Sequence, residues 1–159
     1  MTMLAAIRPD SWNYALFLHV LGAMILVGAL VTAVTAQVLS WKRGGGADAA
    51  AYARLAFRTL LFVGIPAYVA MRIGAEWIYS KEHWGDVPKE PDWLGIGYIT
   101  ADLGALLLIT SVVLAGFGAR RLAQADSGPS IMARSAGVLT IVVLAAYLVA
   151  VWAMTAKPT

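Results

Sequence analysis

Ionisable side chains inside long apolar stretches are the residues of this sequence best suited to chemistry. His19, Arg72 and Asp102 lie in three different stretches, and Tyr147 lies in a fourth. At a rise of about 1.5 Å per residue, the three ionisable groups lie about 10 to 14 Å from the same boundary of the apolar layer. Charges in such stretches mark functional sites by default. We therefore predict a shared ligand or cofactor site formed by these four residues.

Each of these residues also has a purely structural interpretation. Glu76 follows Arg72 by four residues, so the two side chains can pair on one helix face and simply fix packing. His19 can be a hydrogen-bonded packing residue. Asp102 is harder to explain in this way, because a lone carboxylate in hydrocarbon needs a partner or a proton. Arg72, His19 or Tyr147 would be that partner.

A metal or haem is the cofactor that these residue types favour. The candidate ligands are His19, His83 and Met71, with Met154 as a further thioether. Two histidines allow at most one bis-histidine haem b, and thioethers favour Cu(I). His83 belongs to the 81–92 loop, which is either a lid over the site or a solvated connector. The sequence thus predicts a haem or copper-like ion in a redox or metal-handling role.

Two other functions are compatible with the same residues. One is a transporter of protons, ions or small solutes, or a channel subunit, and a proton or ion path would use His19, Arg72, Asp102 and Tyr147 as relay groups. Its path would also have to cross the other half of the layer, which offers hydroxyl groups at Thr32, Thr35, Thr59, Thr110, Ser111 and Thr140. The third function is a structural subunit of a larger membrane complex. No hydrolase, kinase or nucleotide-binding motif occurs, and whether the chain is an enzyme stays open.

The elements that position these residues follow from composition. The 159 residues are 60% hydrophobic and 13% charged, which is too apolar for a soluble domain of this size. Four stretches, 12–40, 53–80, 93–119 and 131–156, are long enough to cross a membrane. We therefore predict an all-α, up-down bundle of four transmembrane helices forming a single domain over residues 1–159. Pro66 predicts a kink in the second helix. The absence of cysteine excludes disulfides and thiolate sites.

Charge asymmetry predicts the orientation. One side carries the basic residues Lys42, Arg43, Arg54, Arg58, Arg120, Arg121 and Arg134 against Asp48 and Asp126. The other side carries Arg8, Arg72, Lys81, Lys89 and Lys157 against Asp10, Glu76, Glu82, Asp86, Glu90, Asp92 and Asp102. The positive-inside rule places the first side in the cytoplasm and both termini outside. The expected partners are the lipid bilayer and a homo-oligomer or larger membrane complex, not nucleic acid.

The segment Phe17-Leu18-His19-Val20-Leu21-Gly22-Ala23 resembles the opening helix of copper-resistance D membrane modules and related small bacterial membrane proteins. The four-helix layout is also similar to that of membrane-type protoporphyrinogen oxidase. The resemblance implies a multi-pass protein of the bacterial inner membrane, with His19 as the metal or porphyrin ligand. This chain departs from the oxidase pattern in its third span, which carries Asp102 and no lysine.

Overall fold

The protein is a bundle of four long helices in a computed structural model that describes residues 13–82, 91–124 and 131–156. The helices are α1 (Asn13–Arg43), a second one built from α2 (Gly46–Thr59), a π-helical segment (Leu60–Gly64) and α3 (Ile65–Lys81), then α4 (Asp92–Gln124) and α5 (Ile131–Ala156). All four are long and apolar enough to span a membrane. The prediction of an all-α, four-span membrane bundle is confirmed.

The first three of the four spanning helices extend a few residues beyond the predicted apolar stretches. α1 continues to Arg43, α2 begins at Gly46, and α4 continues to Gln124. A helix of about 30 residues is about 45 Å long, whereas the hydrocarbon layer is about 30 Å thick. Polar turns can therefore continue into the headgroup region, and hydropathy alone does not mark where they end.

Two ends of the bundle differ in charge. The basic end is defined here by Arg43, Arg58, Arg120 and Arg134, and the acidic end by Glu76, Asp92 and Asp102. At the basic end, Gly44 and Gly46 have φ angles of 74° and 81°, in the left-handed region that glycine adopts without a steric penalty. The three-glycine link is therefore a tight turn that leads directly from α1 into α2.

Alanine and glycine supply much of the inside of the bundle, together with a few buried leucines, whereas most large apolar side chains face outward. Ala33, Ala56 and Ala136 are completely buried, whereas Phe17 and Leu106 are 64% and 65% exposed. This arrangement is the reverse of a soluble protein's, and it fits a bundle whose surroundings are hydrocarbon. Helices in lipid associate by close backbone packing, because burial of apolar side chains gains little there.

α1 and α3 pack backbone to backbone through a reciprocal pair of glycines. A Cβ on Gly22 would lie 2.5 Å from the Met71 backbone nitrogen, and a Cβ on Gly74 would lie 2.5 Å from that of His19. Neither position has room for a side chain. The contact fixes α3 on α1 at the level of His19.

The kink predicted at Pro66 takes the form of a π turn. Ile65 donates its N–H to the Leu60 carbonyl, five residues back rather than four. Proline has no N–H and its ring crowds the carbonyl four residues before it, so a widened turn relieves the conflict. The two parts of this helix also pack differently: α2 packs against α1 and α4, whereas α3 packs against α1 and its backbone makes little contact with α4. At the acidic end, α3 and α4 are therefore held together mainly by side chains.

Candidate functional site

Arg72 is the centre of a charged cluster that joins α3 to α4. Its Nη2 atom lies 3.1 Å from Oε1 of Glu76, one turn further along α3, and 3.1 Å from Oδ1 of Asp102 on α4. The structure thus brings together two of the predicted site residues, Arg72 and Asp102. The bond to Asp102 crosses the region where the backbones of α3 and α4 make little contact.

An aromatic face completes the surroundings of the guanidinium. Arg72 Cζ lies 4.7 Å from the centre of the Tyr98 ring, which is a cation–π distance. Tyr98 lies one turn before Asp102, so α4 presents a ring and a carboxylate to the same cation. The edge of Tyr79 packs against Tyr98, with ring centres 5.6 Å apart. These contacts restrict the orientation of Arg72.

The cluster carries one more negative than positive charge. Arg72 has a single positive charge, whereas Glu76 and Asp102 are both carboxylates. The side chain of Arg72 is 26% exposed, and those of Glu76 and Asp102 are 51% and 64% exposed. The cation is thus enclosed while the carboxylates are accessible. The cluster therefore offers two half-exposed carboxylates to a further cation.

The depth of the cluster follows from helix geometry. Asp102 precedes Arg120 at the basic end by eighteen residues, which corresponds to about 27 Å along α4. Arg72 follows Arg58 by fourteen residues, about 21 Å along the second helix. With a hydrocarbon layer about 30 Å thick, these spacings put the cluster in the half of the layer nearer the acidic end.

Tyr147 brings a buried hydroxyl to the inner side of the cluster. Its side chain is 4% exposed and packs on the backbone of Gly104, where a Cβ would lie 2.9 Å from the tyrosine oxygen. The hydroxyl has no hydrogen-bond partner in the described part of the chain. It lies close enough to Tyr68, Arg72 and Asp102 to interact with them electrostatically. A buried, unpaired hydroxyl costs about 1 to 3 kcal/mol, so this one is suited to bind a polar guest.

His19 joins α1 to α3 instead of joining the charged cluster directly. Its Nδ1 atom lies 3.0 Å from the Met71 carbonyl oxygen. A carbonyl only accepts, so Nδ1–H is the donor and Nε2 keeps a lone pair in the neutral ring. Met71 immediately precedes Arg72, so His19 supports the residue next to the cluster. In the described residues, the His19 ring bonds to no carboxylate.

The predicted metal ligands are not assembled in the part of the chain that the structure describes. Met71 meets His19 through its carbonyl, while its side chain is buried in the hydrophobic core. Met154 packs its methyl group against Gly97. His83 lies outside the described residues. No group of three or more His, Asp or Glu side chains within 13–82, 91–124 and 131–156 is arranged to hold a metal ion.

Sequence reasoning missed three polar residues in the interior. Tyr98 and Tyr68 adjoin Arg72, and Gln37 is a fully enclosed amide near the basic end. Tyr98 is separated from Asp102 by one turn, a spacing that would have identified it once Asp102 was singled out. Gln37 continues the row of small buried residues on α1, one turn after Ala33.

Comparison of the chain with protein-family models, with curated proteins and with solved structures finds no match. The likeness of the first helix to copper-resistance D modules therefore stays a prediction.

Proposed function

We propose that the protein binds a monovalent cation, a proton included, at the Arg72 cluster, and that it acts as a small cation transporter or channel subunit. The observation that carries the proposal is the ratio of two carboxylates to one guanidinium, with both N–O distances at 3.1 Å. An uncompensated charge in the hydrocarbon layer is costly, which favours capture of one cation.

Cation binding at the Arg72 cluster would weaken the attachment of α3 to α4. The Arg72–Asp102 bond bridges two helices whose backbones make little contact and which otherwise meet at the Tyr98 ring. A cation bound by Asp102 competes with Arg72, which keeps Glu76 as its partner on the same helix. Cation binding would thus loosen α3 from α4 while α3 stays fixed to α1 by the Gly22 and Gly74 contacts. Binding of one cation at Asp102 would in this way allow α3 to move relative to α4.

The location of the protein belongs to the same proposal. We propose that the acidic end lies outside a bacterial inner membrane and the basic end in the cytoplasm, an orientation that the charge asymmetry favours. The cluster then takes its cation from the extracytoplasmic side. Four helices enclose little volume, so we propose that the working unit is a homo-oligomer or part of a larger membrane complex.

Cation flux into proteoliposomes tests the proposal. The purified protein is reconstituted and assayed for uptake of protons, Na⁺, K⁺ and methylammonium under an imposed membrane potential. We expect uptake of at least one of them, reduced about tenfold by Asp102→Asn, because loss of one charged ligand raises the barrier by about 1.4 kcal/mol or more. The matched control is Asp48→Asn, the same change at an exposed acid 3.8 Å from Arg43 at the basic end. Absence of uptake, or equal uptake by the two variants, would contradict the proposal.

A haem or copper-like cofactor held by His19 is the second candidate, favoured by one observation. The Nδ1–H of His19 is fixed by a backbone carbonyl, which is how metal-ligating histidines are commonly oriented, and this leaves Nε2 available. When bound, such a cofactor would supply redox chemistry. An absorption spectrum and metal analysis of the purified protein test this candidate. A Soret band or bound copper that is lost in His19→Ala would support it, and their absence from the wild type would exclude it.

A further inference from the structure

The contact between α4 and α5 follows a seven-residue repeat of small residues. Gly97 packs against Met154, Gly104 against Tyr147, and Gly118 against Ala133. Each seven-residue step forward along α4 matches an equal step backward along α5, as in an antiparallel heptad seam. Ser111 follows Gly104 by seven residues, and Thr140 precedes Tyr147 by seven. The register therefore places Ser111 opposite Thr140, about 10 Å further into the layer than Tyr147.

Buried polar groups lie on this seam and on α1 toward the basic end. In the described residues the buried polar side chains besides Tyr147 are Gln37, Ser40, Ser111 and Thr140. Thr140 donates to the Ala136 carbonyl and Ser40 to that of Ala49. In contrast, Oγ of Ser111 and both Nε2 and Oε1 of Gln37 have no hydrogen-bond partner within 13–82, 91–124 and 131–156. Unsatisfied polar groups within a bilayer cost several kcal/mol each, so we expect water molecules to hydrogen-bond to these atoms.

A small cavity lies where that water is needed. It has a volume of about 10 Å³, enough for one water molecule, and Gln37 lines it. Its wall also includes Ala115 and Ala136, which lie one turn beyond Ser111 and Thr140 respectively. The cavity that Gln37 lines therefore lies about one turn beyond the Ser111–Thr140 pair, toward the basic end.

One apolar layer separates this polar region from the acidic-end cluster. Leu108 and Val143 are completely buried and lie between the level of Tyr147 and the level of Ser111 and Thr140. Both belong to the hydrophobic core. Water does not bridge such a layer at rest, and a hydrophobic constriction of this kind gates a pore by wetting and drying.

We propose that Gln37, Ser111 and Thr140 form a hydrated half-path that carries protons between the Arg72 cluster and the basic end. The proposal rests on the proposed function and specifies its substrate. A cavity of about 10 Å³ holds one water molecule and cannot admit a hydrated metal cation, whereas a proton moves along hydrogen-bonded water and hydroxyl groups. Tyr147, with its unpaired hydroxyl, is the last polar group before the Leu108–Val143 layer.

Proton uptake by reconstituted variants tests the half-path. We expect Gln37→Leu and Ser111→Ala each to reduce proton uptake about tenfold, the effect of one lost hydrogen-bonding step. The matched control is Thr110→Ala, which removes the neighbouring hydroxyl, exposed on the outside of α4 and bonded to the Leu106 carbonyl. It should leave uptake unchanged. Leu108→Ala thins the apolar layer and should increase uptake.

The outcomes separate this inference from the proposed function. Uptake of Na⁺ or K⁺ but not of protons, blocked by Asp102→Asn, overturns the half-path and leaves the cluster's role intact. Proton uptake that is blocked by Asp102→Asn yet unaffected by Gln37→Leu and Ser111→Ala also overturns the half-path and leaves the cluster's role intact. A second measurement does not depend on transport: in bilayers, solid-state NMR should detect water in contact with the Gln37 side-chain amide. A dry amide overturns the half-path even if Gln37→Leu fails to fold.

Discussion

Removing Arg72 should destabilise the protein far more than removing Asp102. At an effective dielectric constant near 20, an ion pair at this separation has a gross Coulomb energy of about 5 kcal/mol. Because the carboxylates are half exposed, the net value of each pair falls to about 1 kcal/mol. Arg72→Gln loses both pairs and leaves two like charges, so we expect a loss of about 2 to 3 kcal/mol in the free energy of unfolding.

The single and double variants together isolate this effect. Asp102→Asn loses one pair but also removes the repulsion between the two carboxylates, so it should change stability by less than about 1 kcal/mol. The double variant R72Q/D102N should be about 1 kcal/mol more stable than Arg72→Gln alone, since one unpaired charge replaces two. Unfolding in mixed micelles at increasing SDS fractions gives these free energies.

An exposed ion pair at the other end provides the control. Arg43→Gln removes the partner of Asp48 at 3.8 Å, where the two side chains are 56% and 75% exposed, and should leave stability unchanged. Equal losses of unfolding free energy in Arg72→Gln and Asp102→Asn, with additive effects in the double variant, would contradict this expectation. The guanidinium would then not be shared between the two carboxylates.

Three further predictions concern the elements that position the cluster. Gly74→Ala should lower the free energy of unfolding by about 2 kcal/mol, because the new Cβ would lie 2.5 Å from the His19 backbone nitrogen. In the same unfolding assay Gly28→Ala should be neutral or stabilising, because no neighbouring atom of the described residues lies within 4 Å of a Cβ built there. His19→Ala should cost about 1 kcal/mol for the lost bond to the Met71 carbonyl, with exchange of the α3 amides showing faster opening. Pro66→Ala restores an N–H and should straighten the second helix, which spin labels on Ser80 and Ile99 would report as a changed α3–α4 distance.

Much of the fold could be predicted from sequence because hydrocarbon imposes a simple rule. A helix must be apolar for about 20 residues to cross the layer, and four such stretches are evident. Their ends were less predictable, since hydropathy falls at the headgroup boundary while the helix continues, as α4 does beyond residue 119 to Gln124. Pro66 indicated a kink, but its conversion into a π turn depends on packing of both half-helices.

The site was partly predictable for a related reason. Depth along a helix follows from counting residues, so a common level for Arg72 and Asp102 could be inferred. Which partner each finds depends on helix rotation, and rotation is set by small residues such as Gly22 and Gly104, whose contacts lie on other helices. His19 shows the difference: its depth was predicted, yet its ring bonds to a backbone carbonyl, a partner that no residue pattern indicates.

The carboxyl carbon resonances of Asp102 and Glu76 give the most direct test of cation binding at the Arg72 cluster. Solid-state NMR of the labelled protein in bilayers would follow them while protons, Na⁺, K⁺ or methylammonium are titrated, with Asp48 as the reference carboxylate. The account predicts that one of these cations shifts the Asp102 or Glu76 signal at concentrations that leave Asp48 unchanged, and that Arg72→Gln alters this response. If all three signals respond alike to every cation, the cluster is only a structural bridge between α3 and α4.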